Sequence, residues 1–297
     1  MKKILFLVSL NAFFRHHSGE VELKLLQIGF KLAGYQCDIV GIDSEDFNKY
    51  DIYIMFSLYD DLDVFIREID DNKTLVVYPQ TEQYTDVTSE KIRKFLSYVP
   101  KSFVVARNSV EVDFYSSAVS PEKILRVPGW FVEPFIWSKS TEAIDLTCDY
   151  ALAFSSNVDT DRFVNIYRYC VENNLKFYLV SSQIKYELMP YDDFFCYPKV
   201  TYGSEIWFRL LKNCIFFYEL NDRVTNSVLE AISMGKPVVS EHAEVINNHL
   251  GFAGVAKPSE VFPELTPADK KQLLGFSVET VANNLIRKLE EYDVCKR

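Results

Sequence analysis

The first 127 residues alternate between short apolar runs and stretches with helical periodicity. Residues 4–10 are almost continuously apolar, and from Glu20 the apolar positions recur at helical spacing until about Gly34. Short apolar runs separated by such stretches are typical of buried parallel strands connected by helices. Further strands are predicted at residues 37–42, 51–57, 74–78, 102–106 and 124–127, with helices at residues 63–69, 89–98 and 109–117.

A second alternation of the same kind follows residues 133–147, which lack strong periodicity and which we interpret as a linker. Its predicted strands are residues 150–154, 176–181, 199–201, 214–220 and 238–240, and its predicted helices are residues 161–172, 183–189, 204–213, 242–249 and 278–292. We therefore expect an α/β protein with two domains, residues 1–135 and 136–297, and a ligand cleft between them.

Residues 218–240, YELNDRVTNSVLEAISMGKPVVS, predict a strand end, a loop, a helix and the next strand. Polar residues follow Leu220, and either Thr225 or Asn226 is suited to cap the helix, which Gly235 is placed to end. The backbone N–H groups at a helix start favour anions, and doubly wound sheets bind phosphate and sugar ligands at such positions. This crossover is therefore the predicted ligand site.

Two acidic residues, Asp222 and Glu230, flank this helix start with seven residues between them. If helical, they would lie up to about 12 Å apart along the axis, whereas paired glycosidase carboxylates lie roughly 5–9.5 Å apart. The wider spacing favours contacts with the two ends of an extended ligand, with an anion held near residues 225–227. An ordinary α/β unit with two solvated acids is the alternative.

The stretch from Asp222 through E-A-I-S-M-G-K-P-V-V resembles the E-x7-E signature of retaining GT-B glycosyltransferases. The resemblance implies a GT-B-like fold of two Rossmann-like domains, with the acceptor on the first and the donor on the second. Its implied substrate is a nucleotide-diphosphate sugar, without another cofactor, and transfer is implied to proceed with retention to a glycan, lipid or protein-linked acceptor. Asp222 would contact the donor sugar and Glu230 the ribose. The implied diphosphate-binding positions are Arg223, Val224, Thr225, Asn226 and Ser227.

Weaker similarities to the same family occur elsewhere in the chain. Residues 120–129, SPEKILRVPG, resemble the segment before the family's interdomain linker, and Gln80 stands where many members have a catalytic-site histidine. A plain helix start at Ser18 and turn chemistry at Gln80 stay open as alternatives. The candidate acceptor or cleft residues are Ser18, Gly19, His16, Gln80 and Glu82.

The chain departs from the family where the diphosphate is held. The family has Gly-Arg and then Lys-Gly after the first strand of its second domain, whereas this chain has Ser155 and Ser156. Arg162 or Arg223 is the candidate replacement cation, because stabilising the leaving diphosphate is an electrostatic task. The departure motivates an alternative function, a non-catalytic GT-B-like subunit that binds a partner transferase or a glycosylated protein. An epimerase or dehydrogenase is disfavoured, because no G-x-G-x-x-G follows the first strand.

Composition narrows the classes of partner. The net charge of −10 and the absence of a Lys/Arg run argue against broad nucleic-acid binding. The six cysteines include no C-x-x-C pair, which favours a reducing, cytoplasmic location. No segment approaches the roughly 20 apolar residues of a membrane span, and the run after Lys3 is short for a signal peptide. His16 and His17 lack a third ligand at metal-binding spacing, so we expect no metal; a homo-oligomer stays possible.

Overall fold

The computed structural model describes residues 2–9, 17–40, 47–56, 58, 60–79, 85–107, 109–127, 149–154, 160–180, 194–197, 205–222, 224–258, 260–261 and 263–295. The chain divides into two compact units. Unit 1 comprises residues 1–129 and 278–297, and unit 2 comprises residues 130–277. Each unit has a parallel sheet of its own.

Unit 1 contains, within the described residues, a six-stranded sheet in which every strand pair is parallel. Its strands are β1 (Lys3–Val8), β2 (Gln36–Val40), β3 (Ile52–Phe56), β4 (Thr74–Tyr78), β5 (Ser102–Ala106) and β6 (Ile124–Arg126). Its helices within residues 1–129 are α1 (His17–Leu32), α2 (Asp63–Ile66), α3 (Asp86–Tyr98) and α4 (Ser109–Ser116), with short 3-10 helices at Phe47–Lys49, Asp60–Leu62 and Pro121–Lys123.

The strand order of unit 1 is β2-β1-β3-β4-β5-β6. The chain moves outward from β1 to β2 and then returns to β3, so the direction of strand addition reverses between β1 and β3. Every residue of β3, β4 and β5 is buried, as expected for central parallel strands covered by helices on both faces.

Unit 2 contains a second all-parallel sheet, of five strands within the described residues. Its strands are β7 (Tyr150–Phe154), β8 (Lys176–Val180), β9 (Phe194–Tyr197), β10 (Phe216–Tyr218) and β11 (Val238–Val239). Its helices are α5 (Thr160–Glu172), α6 (Glu205–Asn213), α7 (Asn226–Ser233), α8 (Ala243–Leu250) and α9 (Pro267–Leu273), followed by a 3-10 helix at Leu274–Phe276.

The strand order of unit 2 is β11-β10-β7-β8-β9. The chain builds outward through β8 and β9, then returns to the other side of β7 with β10. The reversal therefore lies between β7 and β10, and ligands of open α/β sheets bind outside the carboxyl ends of strands at such a point. The loop after β10 leads from this position into α7.

The predicted α/β architecture with two parallel sheets is confirmed, and most element boundaries agree within a few residues. The start of α1 is different: it lies at His17 rather than Glu20, because the polar residues before the apolar periodicity already belong to the first turn. Strand β9 and helix α9 are additional elements. The predicted helix at residues 183–189 and strand at residues 199–201 lie outside the described residues.

The last helix, α10 (Val278–Cys295), packs with unit 1. The sequence predicts a second domain that is continuous from residue 136 to residue 297, whereas residues 278–297 group with the N-terminal unit. Gly29 of α1 lies where α1 and the start of α10 come very close together. A Cβ atom on Gly29 would lie 2.5 Å from the carbonyl oxygen of Val278 and 2.7 Å from its Cγ2, so only glycine fits without a shift.

Three of the cysteines are buried free thiols: Cys37, Cys170 and Cys214. Burial raises the pKa of each thiol to about 12, because the charged thiolate is poorly solvated inside the protein. At neutral pH these side chains therefore remain protonated and act as small apolar residues. None of the helices in the described part of the chain combines the length and the apolar character that crossing a membrane requires.

Replacing Gly29 by alanine tests the contact between α1 and α10. Alanine usually stabilises a helix interior by about 1 kcal/mol relative to glycine. Here the overlap with Val278 should reverse the sign, and we expect the free energy of unfolding to fall by about 1–3 kcal/mol. Urea denaturation measures this change. Gly275→Ala is the control, because no atom lies within 4 Å of its added Cβ. A Gly29→Ala protein as stable as the wild type would contradict the contact.

Candidate functional site

The loop after β10 begins at a buried carboxylate. Phe216, Phe217 and Tyr218 form the buried strand. Glu219 extends the pairing by one further bond, because its backbone N–H donates to the carbonyl oxygen of Val239 at 2.8 Å. The Glu219 side chain is only 2% exposed, so a carboxylate lies at the carboxyl edge of the sheet inside the protein.

This carboxylate accepts hydrogen bonds from both ends of the loop of residues 221–225. Glu219 Oε1 accepts from the backbone N–H of Asn221 at 2.8 Å and from its side-chain amide at 2.6 Å. Glu219 Oε2 accepts from the Thr225 hydroxyl at 2.5 Å, a length typical of a hydroxyl bound to a charged acceptor. Asp222, between the two ends, is exposed.

Thr225 is the N-cap of α7. Its backbone is extended, and its hydroxyl oxygen accepts a hydrogen bond from the N–H of Val228 at 3.2 Å. Of the two caps that the sequence allows, the structure therefore has Thr225, and Asn226 is the first helical residue. The start of a helix carries a partial positive charge and N–H groups without acceptors inside the helix. At the reversal point between β7 and β10, this helix start is suited to bind an anion.

Glu230 lies inside the protein, one turn into α7. It is 2% exposed, and its Oε2 accepts a hydrogen bond from Trp207 Nε1 of α6 at 3.0 Å. Trp207 is completely buried and packs edge-on against Phe154 at the end of β7 and against Phe217 of β10. Glu230 is therefore not a solvated acid. The alternative interpretation, an ordinary α/β unit with two solvated acids, fits the exposed Asp222 but not Glu230.

The two acids do not lie along one helix axis. Asp222 precedes the first helical residue, Asn226, by four positions. Helical rise therefore applies only from Asn226 to Glu230 and amounts to about 6 Å. The estimate of up to about 12 Å is wrong in treating the loop as helix. The rest of the separation lies in the segment between Asp222 and Thr225, which begins next to Asn221 and ends at Thr225, two residues that both bond to Glu219.

The other predicted donor-site residues differ in burial. Val224 and Asn226 are half-buried, whereas Ser227 is buried at 4% exposure. Gly235 follows α7 with a φ of 71°, a left-handed conformation that glycine adopts readily, and so ends the helix as predicted.

Three predicted site residues lie in the first turns of helices. Arg162 belongs to the first turn of α5, and Ser18 and Gly19 belong to the first turn of α1. The predicted residues that lie outside the described part of the chain are Ser155, Ser156, Arg223, His16, Gln80 and Glu82.

Two residues that the sequence does not single out are central to this site, Glu219 and Trp207. Glu219 had a usable signal, since an acidic residue directly after a buried strand sits at the carboxyl edge of the sheet. Trp207 had none, because its partner Glu230 is 23 residues away on a different helix. In the part of the chain that the structure describes, no three His, Cys, Asp or Glu side chains come together to hold a metal ion.

Comparison with known proteins finds similarity in structure but not in sequence. No family model matches the sequence, and no curated protein matches it either. Several solved structures, among them those of HepE, WaaB and AviGT4, resemble the chain over nearly its whole length. Anabaena HepE in complex with UDP-glucose has 12% identity and a TM-score of 0.56, and the match covers 100% of this chain and 97% of HepE.

The other two structures are those of glycosyltransferases. The lipopolysaccharide outer core galactosyltransferase WaaB, without ligand, has 10% identity and a TM-score of 0.58, with 98% of this chain and 99% of WaaB covered. AviGT4, a glycosyltransferase of avilamycin A biosynthesis, has 10% identity and a TM-score of 0.61, with 98% of each chain covered. The chain has the GT-B fold. At these identities the likeness shows the fold alone, which confirms the predicted fold class.

A double-mutant cycle tests the bond between Trp207 and Glu230. Trp207→Phe keeps an aromatic ring but removes the N–H donor from a buried carboxylate. Hydrogen bonds to charged groups contribute about 1.5–3 kcal/mol, so we expect a coupling energy of that size between Trp207→Phe and Glu230→Leu, measured by urea denaturation.

Tyr150→Phe is the comparison for this cycle. The buried Tyr150 hydroxyl donates to the neutral carbonyl oxygen of Leu210 at 2.6 Å, and its loss should lower the free energy of unfolding by only about 1 kcal/mol. A coupling energy below about 0.5 kcal/mol between Trp207 and Glu230 would show that the bond does not hold the carboxylate.

Proposed function

We propose that the protein is a glycosyltransferase that moves a sugar from a nucleotide-sugar donor to an acceptor, and that the donor diphosphate binds at the start of α7. One observation carries this proposal: a capped helix start lies at the strand-order reversal of unit 2, in a chain that has the GT-B fold. Fold alone does not specify chemistry. The helix start adds the chemical argument, because it offers N–H donors and a positive potential for a phosphate group.

The ligands of HepE, one of the solved structures with a similar fold, guide the choice of donor. HepE forms complexes with UDP-glucose and with UDP and glucose. We therefore extend to this chain the expectation of a nucleoside diphosphate sugar, with a uridine nucleotide as the first donor to examine.

The role of Asp222 follows from its exposure, and the role of Glu230 follows from the resemblance to the E-x7-E signature. Asp222 is exposed in the loop before the helix, where its carboxylate is able to accept hydrogen bonds from sugar hydroxyls. Glu230 is held inside the protein by Trp207, and we assign it to the ribose. Thr225 and Asn226 lie between these acids, where we place the diphosphate. The assigned roles of Val224 and Ser227 are backbone contacts in the same segment.

The leaving diphosphate requires more positive charge than a helix start provides, because catalysis of this kind is mainly electrostatic stabilisation of developing charge. We assign this charge to Arg223 or Arg162, with Ser155 and Ser156 as polar contacts on the β7 side. Transfer with retention is part of the proposal, and so is metal independence. We place the acceptor, a glycan, lipid or protein-linked sugar, on unit 1 near Ser18, Gly19, His16, Gln80 and Glu82.

Substitution of the two acids tests the assignment. Asp222→Asn and Glu230→Gln each keep the side-chain shape but remove the charge. Hydrogen bonds to a charged acceptor contribute about 1.5–3 kcal/mol, so we expect kcat/KM for donor turnover, including donor hydrolysis, to fall about 10- to 100-fold in each variant. The assay uses a panel of UDP-, GDP-, TDP- and ADP-sugars.

The matched control is Glu244→Gln, which changes an acid in unit 2 that is 79% exposed on α8. It should leave donor turnover unchanged. Full turnover by both Asp222→Asn and Glu230→Gln would contradict the donor-site assignment. If the wild type binds none of the four nucleoside diphosphates in a thermal-shift titration, the non-catalytic, partner-binding subunit becomes the better hypothesis.

A further inference from the structure

Glu219 combines a buried charge with contacts to both sides of the exposed Asp222. Its carboxylate accepts from the backbone and side chain of Asn221, two residues on, and from the hydroxyl of Thr225, six residues on. A buried carboxylate is unfavourable unless such hydrogen bonds compensate it. The loop that carries Asp222 is therefore fixed at both ends by one side chain.

The bond to Thr225 also reaches the helix. The Thr225 hydroxyl donates to Glu219 Oε2 and its oxygen accepts from the N–H of Val228. The same carboxylate thus orients the cap whose position decides where the first N–H groups of α7 point. Through Asn221 it orients the loop, and through Thr225 it orients the helix start.

Resting on the proposed donor site, we propose that Glu219 is a positioning residue for nucleotide-sugar binding. It acts through Asn221 and Thr225 and does not itself contact the donor. A negative charge beside a diphosphate is repulsive, so a direct contact would weaken binding, whereas hydrogen bonds that hold the loop and the cap strengthen it. The two effects have opposite signs and can be separated by experiment.

Two neutral variants separate charge from hydrogen bonding. Glu219→Ala removes both, whereas Glu219→Gln removes the charge but keeps polar atoms that can bond to Asn221 and to Thr225. We expect the Kd of the tightest-binding nucleotide among UDP, GDP, TDP and ADP to rise about tenfold or more in Glu219→Ala. In Glu219→Gln it should stay within about threefold of the wild-type value. Isothermal titration calorimetry measures both.

Glu111→Ala controls for the loss of a buried carboxylate. Glu111 is 1% exposed and accepts hydrogen bonds from the backbone N–H and guanidinium of Arg107, after β5 of unit 1. Its substitution should lower stability without changing nucleotide affinity. If Glu219→Ala does not fold, Asn221→Leu replaces it. This variant keeps the side-chain volume but lacks the amide that donates to Glu219 Oε1, and it should bind nucleotide at least about threefold more weakly than the wild type.

The outcomes separate this inference from the proposed function. Nucleotide binding by the wild type, weakened in Glu219→Ala and restored in Glu219→Gln, supports the positioning role. Unchanged binding in Glu219→Ala, or equally tight or tighter binding in both variants, overturns it while leaving the donor site in place. A wild type that binds none of the four nucleotides overturns the proposed function itself.

Discussion

The candidate site depends on one buried carboxylate at the end of a parallel strand. Glu219 leaves β10 with its side chain inside the protein and accepts hydrogen bonds from Asn221 and Thr225. These bonds fix the loop that presents Asp222 and the residue that caps α7. Because a charge inside a protein is stable only when it is well bonded, the loop geometry and the burial of Glu219 require each other.

The topology of unit 2 places this loop where open α/β sheets bind their ligands. The strand order reverses between β7 and β10, and the loop from β10 to α7 lies at the carboxyl end of a strand at that reversal. On the same side, Trp207 packs against Phe154 of β7 and bonds Glu230 of α7. A rigid aromatic core therefore supports the helix whose start we assign to the donor diphosphate.

Many of the strands and helix ends could be predicted from the sequence, because they depend on residues that are close together in the chain. The apolar runs at β4, β5 and β7 stand out because each is short, buried and bounded by helical stretches. The cap and the stop at Gly235 depend on neighbouring residues only, so the pattern indicates the stop directly and narrows the cap to Thr225 or Asn226. Strand β9, an edge strand of four residues, carries a weaker signal.

Features that depend on distant partners were not predictable in this way. The bond between Trp207 and Glu230 joins two helices, and the grouping of α10 with unit 1 depends on the close approach of Val278 to Gly29. Asp222 and Glu230 were recognisable as a pair by their spacing, but the loop between them is not helical. Their separation therefore depends on a loop whose ends bond to Glu219, and no periodicity reveals those bonds.

The central claim is that the start of α7 binds the diphosphate of a nucleotide-sugar donor. A crystal structure of the wild type grown with UDP, GDP, TDP or ADP tests it most directly. The account predicts phosphate oxygens within hydrogen-bond distance of the backbone N–H groups at the start of α7, next to Thr225. A nucleotide bound elsewhere, with α7 free of phosphate contacts, would contradict it.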